Sequence, residues 1–335
     1  MNPAASVIVP CYNEADTIGL LLEAVARQDI GRDRLEVVIA DGMSEDRTRQ
    51  VIQDVAAHYK DLRVRIVDNP DRSIPAALNR AVEAATAEVL IRLDAHSIPS
   101  DDYVRRCLEA LKSTGAANVG GAWEIRPRGA GWVARAIARA ASHPLGAGDA
   151  RYRIRGAPGP VDTVPFGAFR REWIERVGPF DETLLTNEDY EFNYRLRRAG
   201  GRVWFDPSIR STYFARSRLS ELWAQYARYG YWKARMLLRH PASLRWRQAL
   251  PPVFVALTAA GLAAAAWSPP ARWLLGIQWL AYGVVLVGAG LVAALRFKDG
   301  PLIVGLPAAW LTMHFAWGLS FWWGLVEGLL GRKRE

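Results

Sequence analysis

Three long apolar stretches follow one another at the end of the chain, and they constrain its fold more than any other feature. They cover about 251–267, 273–295 and 301–330 of the 335 residues, and the middle one contains no charged residue. Each is close to or longer than the roughly 17–20 residues that a membrane-spanning helix needs. A buried soluble helical domain is the alternative, but three such stretches in succession favour membrane helices. We therefore predict a membrane region over 241–335 with two or three transmembrane helices.

Basic residues around these stretches predict which side of the membrane the rest of the chain occupies. They cluster at 239–247, before the first stretch, and at 296–298, after the second. Because cytoplasmic loops are enriched in Lys and Arg, we expect the preceding domain and the loop 296–300 in the cytosol, on a multi-pass protein of the inner membrane. The terminal Arg332-Lys333-Arg334 would lie outside if the third stretch crossed once. Either that stretch turns back, or one of the three does not span.

The first hundred residues have the pattern of a soluble α/β domain. Short apolar, β-branched runs at 6–10, 35–40, 64–67 and 89–93 alternate with amphipathic segments. This alternation predicts a mostly parallel sheet with helices on both faces. Such sheets bind ligands outside the carboxyl ends of their strands. Pro10-Cys11, Asp41 and Asp94 stand at three of these ends, so we expect a nucleotide site there.

Sequence motifs around this predicted site disfavour two nucleotide-binding classes and suggest a metal. The first strand-to-helix turn contains neither GxGxxG nor GxxxxGK[ST], which disfavours a dinucleotide oxidoreductase or a P-loop NTPase. Asp94-Ala95-His96 ends the fourth strand run. We expect this tripeptide to be extended, so that residues i and i+2 point the same way and their side chains can reach one divalent ion. By itself, an Asp-x-His sequence is more often a solvated strand end.

Two further segments carry candidate functional groups. Glu188 and Asp189 stand at a predicted helix N-terminus, where the helix dipole stabilises negative charge, and either ordinary capping or a catalytic base fits them. The segment 219–240 mixes aromatic residues with Arg and Lys, which predicts an interfacial amphipathic helix or, nearly as well, a packed surface helix. The formal net charge of +9 suits anionic partners. Many basic residues lie between 195 and 247, beside the apolar tail, so membrane headgroups and pyrophosphates are expected and nucleic acid is not.

The motifs together share their order and spacing with a known family. Val7–Glu14, Asp41, Asp94-Ala95-His96, Glu188-Asp189 and Gln225-x-x-Arg228-Tyr229 resemble family 2 glycosyltransferases of the GT-A fold. The segments 92–97, 165–172 and 187–191 are similar to the membrane-anchored, ExoA-like succinoglycan glucosyltransferases. The specific motifs cover about the first 240 residues. The resemblance therefore implies a cytosolic GT-A glycosyltransferase domain over 1–240, ahead of the membrane region.

The resemblance also implies roles for individual residues. The uridine site would be formed by Pro10, Tyr12 and Glu14, and Asp41 would hydrogen-bond the uracil. Asp94 would contact the ribose or the metal, and His96 stands where the family usually has a second Asp. Asp189 would be the catalytic base, with Glu188 beside it. The donor pyrophosphate or the acceptor would be contacted by Gln225 and Arg228.

The function implied by the resemblance is that of an inverting, metal-dependent hexosyltransferase. It would use Mn²⁺ or Mg²⁺ to move a sugar, with glucose expected, from a UDP-sugar to a lipid-linked or growing oligosaccharide in cell-surface polysaccharide synthesis. Other polysaccharide-assembly enzymes are candidate partners. Two alternatives stay open: a polyprenyl-phosphate glycosyltransferase, and a catalytically silent nucleotide-sugar-binding membrane protein.

Overall fold

The computed structural model describes residues 3–332. The chain forms two compact units that are each discontinuous in sequence. The first unit contains the residues up to Glu124 together with Arg151–Tyr213, and the second contains Ile125–Ala150 together with the residues from Phe214 onwards. The predicted end of the catalytic domain near residue 240 stays a prediction.

The described residues contain one sheet of nine strands. The strands are β1 Ala5–Cys11, β2 Leu35–Asp41, β3 Arg63–Asp68, β4 Val89–Arg92, β5 Ile98–Pro99, β6 Asn118–Pro127, β7 Gly159–Pro160, β8 Ala168–Arg170 and β9 Val203–Ala215. The helices are α1 Ile18–Ala26, α2 Thr48–His58, α3 Ile74–Ala84, α4 Tyr103–Thr114, α5 Trp132–Ala141, α6 Pro144–Ala147, α7 Arg151–Ile154, α8 Arg171–Val177, α9 Glu188–Arg198, α10 Leu219–Arg239, α11 Trp246–Ala265, α12 Pro269–Phe297 and α13 Leu302–Leu329.

The first four strands form the parallel part of the sheet, in the order β3-β2-β1-β4. β1 and β2 are buried along their whole lengths, as expected for central strands covered on both faces. The chain returns to the start of each parallel strand through a helix, and Ser73 caps α3 by accepting a hydrogen bond from the Ala76 N–H at 3.4 Å. The predicted β-α alternation of this region is confirmed.

The sheet continues beyond β4 with antiparallel strands. β8 pairs with β4 and β6, and the path ends with β9 and β5. Glycine is required where β6 meets β9, because a Cβ on Gly121 would lie 1.8 Å from the Ile209 carbonyl oxygen. The apolar composition of 161–169 favours one strand, but within that range the structure has only the first two residues of β8, and β7 ends at Pro160. Phe166 has a φ of +48°, and this left-handed conformation interrupts an extended segment.

A buried aromatic cluster fixes α9 against the sheet. Phe192 and Leu196 lie one and two turns after Glu188, and both are buried in a core that includes Phe169 of β8 and Phe180. The Phe192 ring centroid lies 5.0 Å from that of Phe169 and 4.7 Å from that of Phe180. Residues four apart share a helix face, so Glu188 lies on the buried side of α9.

The second unit is helical and carries the apolar stretches. Three of its helices, α11, α12 and α13, have the length and composition of membrane spans, with 20, 29 and 28 residues. Many of their large apolar side chains are exposed, as lipid-facing residues are. The terminal basic run begins at Arg332, while Lys333 and Arg334 lie outside the described residues.

The helix α10 packs along α13 within the second unit. Two glycines of α13 and α10 allow the backbones to touch: a Cβ on Gly230 would lie 2.3 Å from the Trp317 carbonyl oxygen, and one on Gly324 would lie 2.5 Å from that of Tyr231. The Tyr231 hydroxyl also donates to Glu327 at 2.8 Å. Close contacts through small residues are typical of helix pairs in membranes.

Candidate active site

The carboxyl ends of three parallel strands lie level with one another in the first unit. Cys11 pairs with Asp41 across β1 and β2, and Ile8 pairs with Arg92 across β1 and β4. The Leu93 N–H donates to the Ile8 carbonyl at 3.1 Å, which continues this register past the end of β4. The ends of β1, β2 and β4 therefore meet at one edge, as the sequence predicted.

Asp41 is fully buried at this edge, and groups of its own chain satisfy its carboxylate. Its two oxygens accept hydrogen bonds from the Ser44 hydroxyl at 2.5 Å and the Ser44 N–H at 3.1 Å, and from Arg49 Nε at 2.6 Å. Ser44 precedes α2 without capping it. Its Oγ accepts from the Asn13 N–H at 2.8 Å, which joins the loops after β1 and β2. The predicted contact of Asp41 with a uracil stays a prediction.

The loop after β1 presents a ring at the surface. Tyr12 is 40% exposed, and the Arg72 guanidinium carbon lies 5.3 Å from the centre of its ring. Pro10 is buried behind this loop, and Glu14 is half-buried. The Glu14 carboxylate accepts from the Thr17 hydroxyl at 2.5 Å and lies 3.1 Å from His96 Nδ1. Glu14 and His96, which are 82 positions apart in sequence, are thus brought together.

Asp94 and His96 lie in a turn rather than on an extended strand. The strand β4 ends at Arg92, and the Ser97 N–H donates to the Asp94 carbonyl at 2.9 Å. The argument that residues i and i+2 face the same way was therefore wrong at this tripeptide. The turn instead directs Asp94 toward Arg92 and His96 toward Glu14.

A metal bound at this turn would need further ligands from a substrate, because Asp94 faces Arg92 and His96 faces Glu14. Residues 3–332 contain no group of three or more His, Cys, Asp and Glu that could hold a metal by itself. A site with one carboxylate and one imidazole leaves most of the coordination to phosphates and water, which is how Mg²⁺ commonly binds beside substrate phosphates, and imidazole also suits transition metals such as Mn²⁺. Asp94, Glu188 and Asp189 around Arg92 have a formal charge of −2, which a divalent ion would neutralise.

Arg92 is a site residue that our sequence reasoning missed. Its side chain is only 7% exposed, and its Nη2 lies 2.7 Å from Glu188 Oε1 and 3.2 Å from Asp94 Oδ1. Burial disfavours its charge, but the carboxylates of Asp94 and Glu188 outweigh burial and raise the pKa of Arg92. A single charged residue inside the apolar run Val89–Leu93 was the available signal.

The first turn of α9 carries the two predicted catalytic carboxylates. Glu188 is buried and bound to Arg92, whereas Asp189 is half-buried and accepts from the Tyr190 N–H at 2.6 Å. Burial raises the pKa of Asp189 to about 6, the negative charge of Glu188 adds to this, and Arg92 opposes it. A carboxylate with a pKa near 6 is ionised at neutral pH and is a stronger base than an ordinary Asp.

The remaining two predicted site residues lie on α10, in the second unit. Gln225 is buried and its Nε2 donates to the Tyr229 hydroxyl at 3.0 Å, whereas Arg228 is exposed. Their predicted contact with a donor or an acceptor stays a prediction.

Comparison with known proteins identifies the family. The model of the glycosyl transferase family 2 matches residues 6–178, which include the three strand ends and Asp94. The chain belongs to glycosyltransferase family 2. It is also 34% identical over 330 residues to the succinoglycan biosynthesis protein ExoA of Rhizobium meliloti strain 1021, and the alignment covers 97% of this chain and 96% of ExoA. The predicted family and its ExoA-like character are therefore confirmed.

A second relative of this family 2 transferase has an archaeal source. A dolichyl N-acetyl-α-D-glucosaminyl phosphate 3-β-D-2,3-diacetamido-2,3-dideoxy-β-D-glucuronosyltransferase of Methanococcus voltae is 24% identical over 330 residues, covering 96% of this chain and 97% of that protein. Both similarities extend beyond the family model into the apolar helices.

Solved structures support the same fold. A mannosyltransferase from Pyrobaculum calidifontis, in complex with GDP-Man and Mn²⁺, has a TM-score of 0.63 and 24% identity, covering 93% of this chain and 87% of that one. TarS 1–349 of S. aureus, in complex with UDP-GlcNAc, has a TM-score of 0.51 and 15% identity, covering 93% and 91%. The predicted GT-A fold followed by apolar helices is confirmed.

Proposed function

We propose that this family 2 glycosyltransferase is an inverting hexosyltransferase that moves glucose from UDP-glucose to a lipid-linked or growing oligosaccharide. The observation that carries the proposal is Asp189, a half-buried carboxylate with a pKa of about 6 in the same cluster as Asp94. A base and a donor-binding carboxylate in one cleft are what transfer to a sugar hydroxyl requires. The 34% identity to a succinoglycan biosynthesis protein supports a role in cell-surface polysaccharide synthesis.

In the proposed reaction, Asp189 accepts the proton of an acceptor hydroxyl. The acceptor oxygen forms a bond to the anomeric carbon of the donor sugar while the bond from that carbon to the diphosphate oxygen breaks. The electron pair of the broken bond leaves with the nucleoside diphosphate, and the proton stays on Asp189. In-line attack inverts the anomeric centre, so an α-linked donor gives a β-linked product.

On the donor side, the proposal assigns the nucleotide to the strand ends of the first unit. Tyr12, with its exposed ring, and the half-buried Glu14 would contact the nucleoside together with Pro10 and Asp41. Asp94 and His96 would hold a divalent metal, which neutralises charge on the leaving diphosphate when it is bound. Gln225 and Arg228 of α10 would contact the diphosphate or the acceptor, where a guanidinium forms charge-assisted hydrogen bonds.

On the acceptor side, the apolar helices support a substrate that is held at the membrane. Residues 3–332 include three candidate spans, and one relative is named for a dolichyl-linked acceptor. Basic residues at 239–247 and 296–298 support a catalytic domain on the cytosolic side of the inner membrane.

A donor and acceptor screen tests the proposed function. Full-length protein in lipid nanodiscs is supplied with UDP-glucose or GDP-mannose, with Mn²⁺, Mg²⁺ or EDTA, and with extracted lipid-linked oligosaccharides. We expect the mass of one hexose to be added to the lipid-linked acceptor from UDP-glucose, only with metal, and not by the Asp189→Asn variant. Transfer from GDP-mannose but not from UDP-glucose would contradict UDP-glucose as the donor. Full activity of Asp189→Asn would contradict Asp189 as the catalytic base.

A polyprenyl phosphate is the second acceptor class to be tested, although the name of the archaeal relative describes transfer to the 3-position of a sugar on a dolichyl-linked substrate. A phosphate oxygen is already ionised, so transfer to it needs little help from a base. A phosphate-linked sugar as the product, formed equally well by Asp189→Asn, would favour this second function. Nucleotide binding without turnover on either acceptor class would favour a silent binding protein.

A further inference from the structure

Arg92 joins two parts of the site that are far apart in sequence. It lies at the end of β4, where its backbone N–H donates to the Gly167 carbonyl at 3.0 Å. Its side chain reaches Asp94, two positions along the chain, and Glu188, at the start of α9. The shorter contact is the one with Glu188, at 2.7 Å against 3.2 Å for Asp94 Oδ1.

Burying the charged side chain of Arg92 costs free energy, and packing does not explain why this residue is buried. Buried ion pairs often stabilise a protein no better than apolar residues of similar volume would. In addition, Arg92 Nη1 is buried and makes no hydrogen bond among the described residues. An unsatisfied buried N–H opposes folding, so its presence calls for a reason other than stability.

The ion pair between Arg92 and Glu188 holds the turn of α9 that also carries Asp189. The rest of α9 is held by Phe192 and Leu196, which are packed in the core. The first turn is entered through Asn187, which has a φ of +69°, an uncommon conformation for a residue other than glycine. Glu188 ties that turn to β4 through Arg92, and Asp189 is the next residue.

We propose that Arg92 is a positioning residue, which couples the donor-side carboxylate Asp94 to the turn of α9 that presents Asp189. This inference rests on the proposed function, because it assigns Arg92 its effect through the base Asp189. A guanidinium suits this task because its planar fork can bind two carboxylates in fixed directions, whereas an ammonium is a single point charge. Arg92 itself need not touch a substrate.

Arg195 provides a matched control on the same helix. Its Nε lies 2.7 Å from Glu191 Oε1, and its Nη atoms donate to the carbonyls of Val177, Gly178 and Pro179. Like Arg92, it is a largely buried arginine that pairs with a carboxylate of α9. Unlike Arg92, within residues 3–332 it forms no hydrogen bond or ion pair with Asp94 or Glu188.

The test compares Arg92→Lys with Arg195→Lys in the full-length protein. Since a misplacement of about 1 Å can cost about 100-fold in rate, we expect Arg92→Lys to lower kcat by about 10- to 100-fold. We expect the KM for the donor to change by less than about threefold, as for an interaction that matters mainly in the transition state. Arg195→Lys should keep kcat within about twofold even if it lowers stability, because the contacts of Arg195 with Glu191 and with the carbonyls of residues 177–179 lie outside the Arg92–Glu188 pair.

A measurement without turnover separates this inference from the proposed function. Amide hydrogen exchange over residues 186–191 reports the order of the first turn of α9. Arg92→Lys should speed exchange there by about tenfold, because it loosens that turn without global unfolding. Exchange unchanged by Arg92→Lys would overturn the proposal, whether or not the donor and acceptor are the ones we propose.

A double-variant cycle with Glu188→Gln completes the test. If Arg92 acts through Glu188, Arg92→Lys should cost much less in kcat when Glu188 is already Gln, so the two effects should not add. Additive effects, or equal losses of kcat in Arg92→Lys and Arg195→Lys, would overturn the proposal. Full activity of Asp189→Asn would instead refute the base assignment of the proposed function.

Discussion

The raised pKa of Asp189 predicts that removing the charge of this side chain stabilises the fold and strongly lowers turnover. Burial and the charge of Glu188 raise the pKa from its ordinary value of 3.8 to about 6. The folded protein therefore holds a proton on Asp189 more tightly than the unfolded chain does. Stability from this group is fully present below pH 3.8 and is lost as the pH rises through 6.

The size of the change in unfolding free energy follows from the shift in the pKa of Asp189. About two pKa units at about 1.4 kcal/mol per unit correspond to about 3 kcal/mol at pH 7.5. Asp189→Asn keeps a neutral side chain at every pH, so it should unfold with a free energy about 3 kcal/mol larger than wild type at pH 7.5 and about 1 kcal/mol larger at pH 4.5. Loss of a general base should lower kcat by about 10²- to 10⁴-fold.

Thermal unfolding in detergent at the two pH values measures the difference. Glu188→Gln is the control, since it loses the ion pair with Arg92, whose N–O distance is 2.7 Å, and should lower the unfolding midpoint. A lower midpoint for Asp189→Asn at pH 7.5, or a difference from wild type that does not change with pH, would refute the reasoning. The expected gain in stability with loss of activity is the trade-off that strained active sites show.

Three further predictions follow from the same site and from the helical unit. The kcat of wild type should decrease as the pH is lowered through about 6, because Asp189 becomes protonated there. A kcat that stays constant down to about pH 5 would contradict Asp189 as the catalytic base. The variant His96→Asp should shift the metal preference of turnover from Mn²⁺ toward Mg²⁺ if the imidazole is a ligand, and an unchanged preference in a metal titration would exclude it. Gly324→Leu should lower the unfolding midpoint by several degrees, because a Cβ there would lie 2.5 Å from the Tyr231 carbonyl oxygen. Gly276 has open space around it, so Gly276→Leu should leave the midpoint unchanged. Equal midpoints for the two variants would refute the close contact between α10 and α13.

The parts of the fold that depend on local pattern could be predicted from the sequence. The four parallel strands follow from β-branched runs, and Ser73 caps α3 as a Ser before an amphipathic helix should. The three apolar helices follow from length and composition. Glu188 and Asp189 were placed at a helix N-terminus because the apolar spacing of the residues after them is helical.

The parts that depend on tertiary contacts could not be predicted. The conformation of Asp94–Ser97 is set by a turn that no periodic pattern marks, and so the tripeptide was wrongly expected to be extended. The pairing of Arg92 with Glu188 joins residues 96 positions apart, and no local sequence pattern indicates which residue pairs with a buried charge. The left-handed Phe166 interrupts an apolar run that otherwise has the composition of a strand.

The anomeric configuration of the product tests the central claim most directly. Full-length protein, UDP-[¹³C]glucose with its α-linked sugar, Mn²⁺ and a lipid-linked oligosaccharide are incubated, and the new linkage is examined by NMR through the one-bond coupling at the anomeric carbon. Attack assisted by Asp189 from the face opposite the leaving diphosphate predicts a β-glycosidic bond to a sugar hydroxyl. An α-linked product, or a sugar bound to the lipid phosphate, would contradict the account.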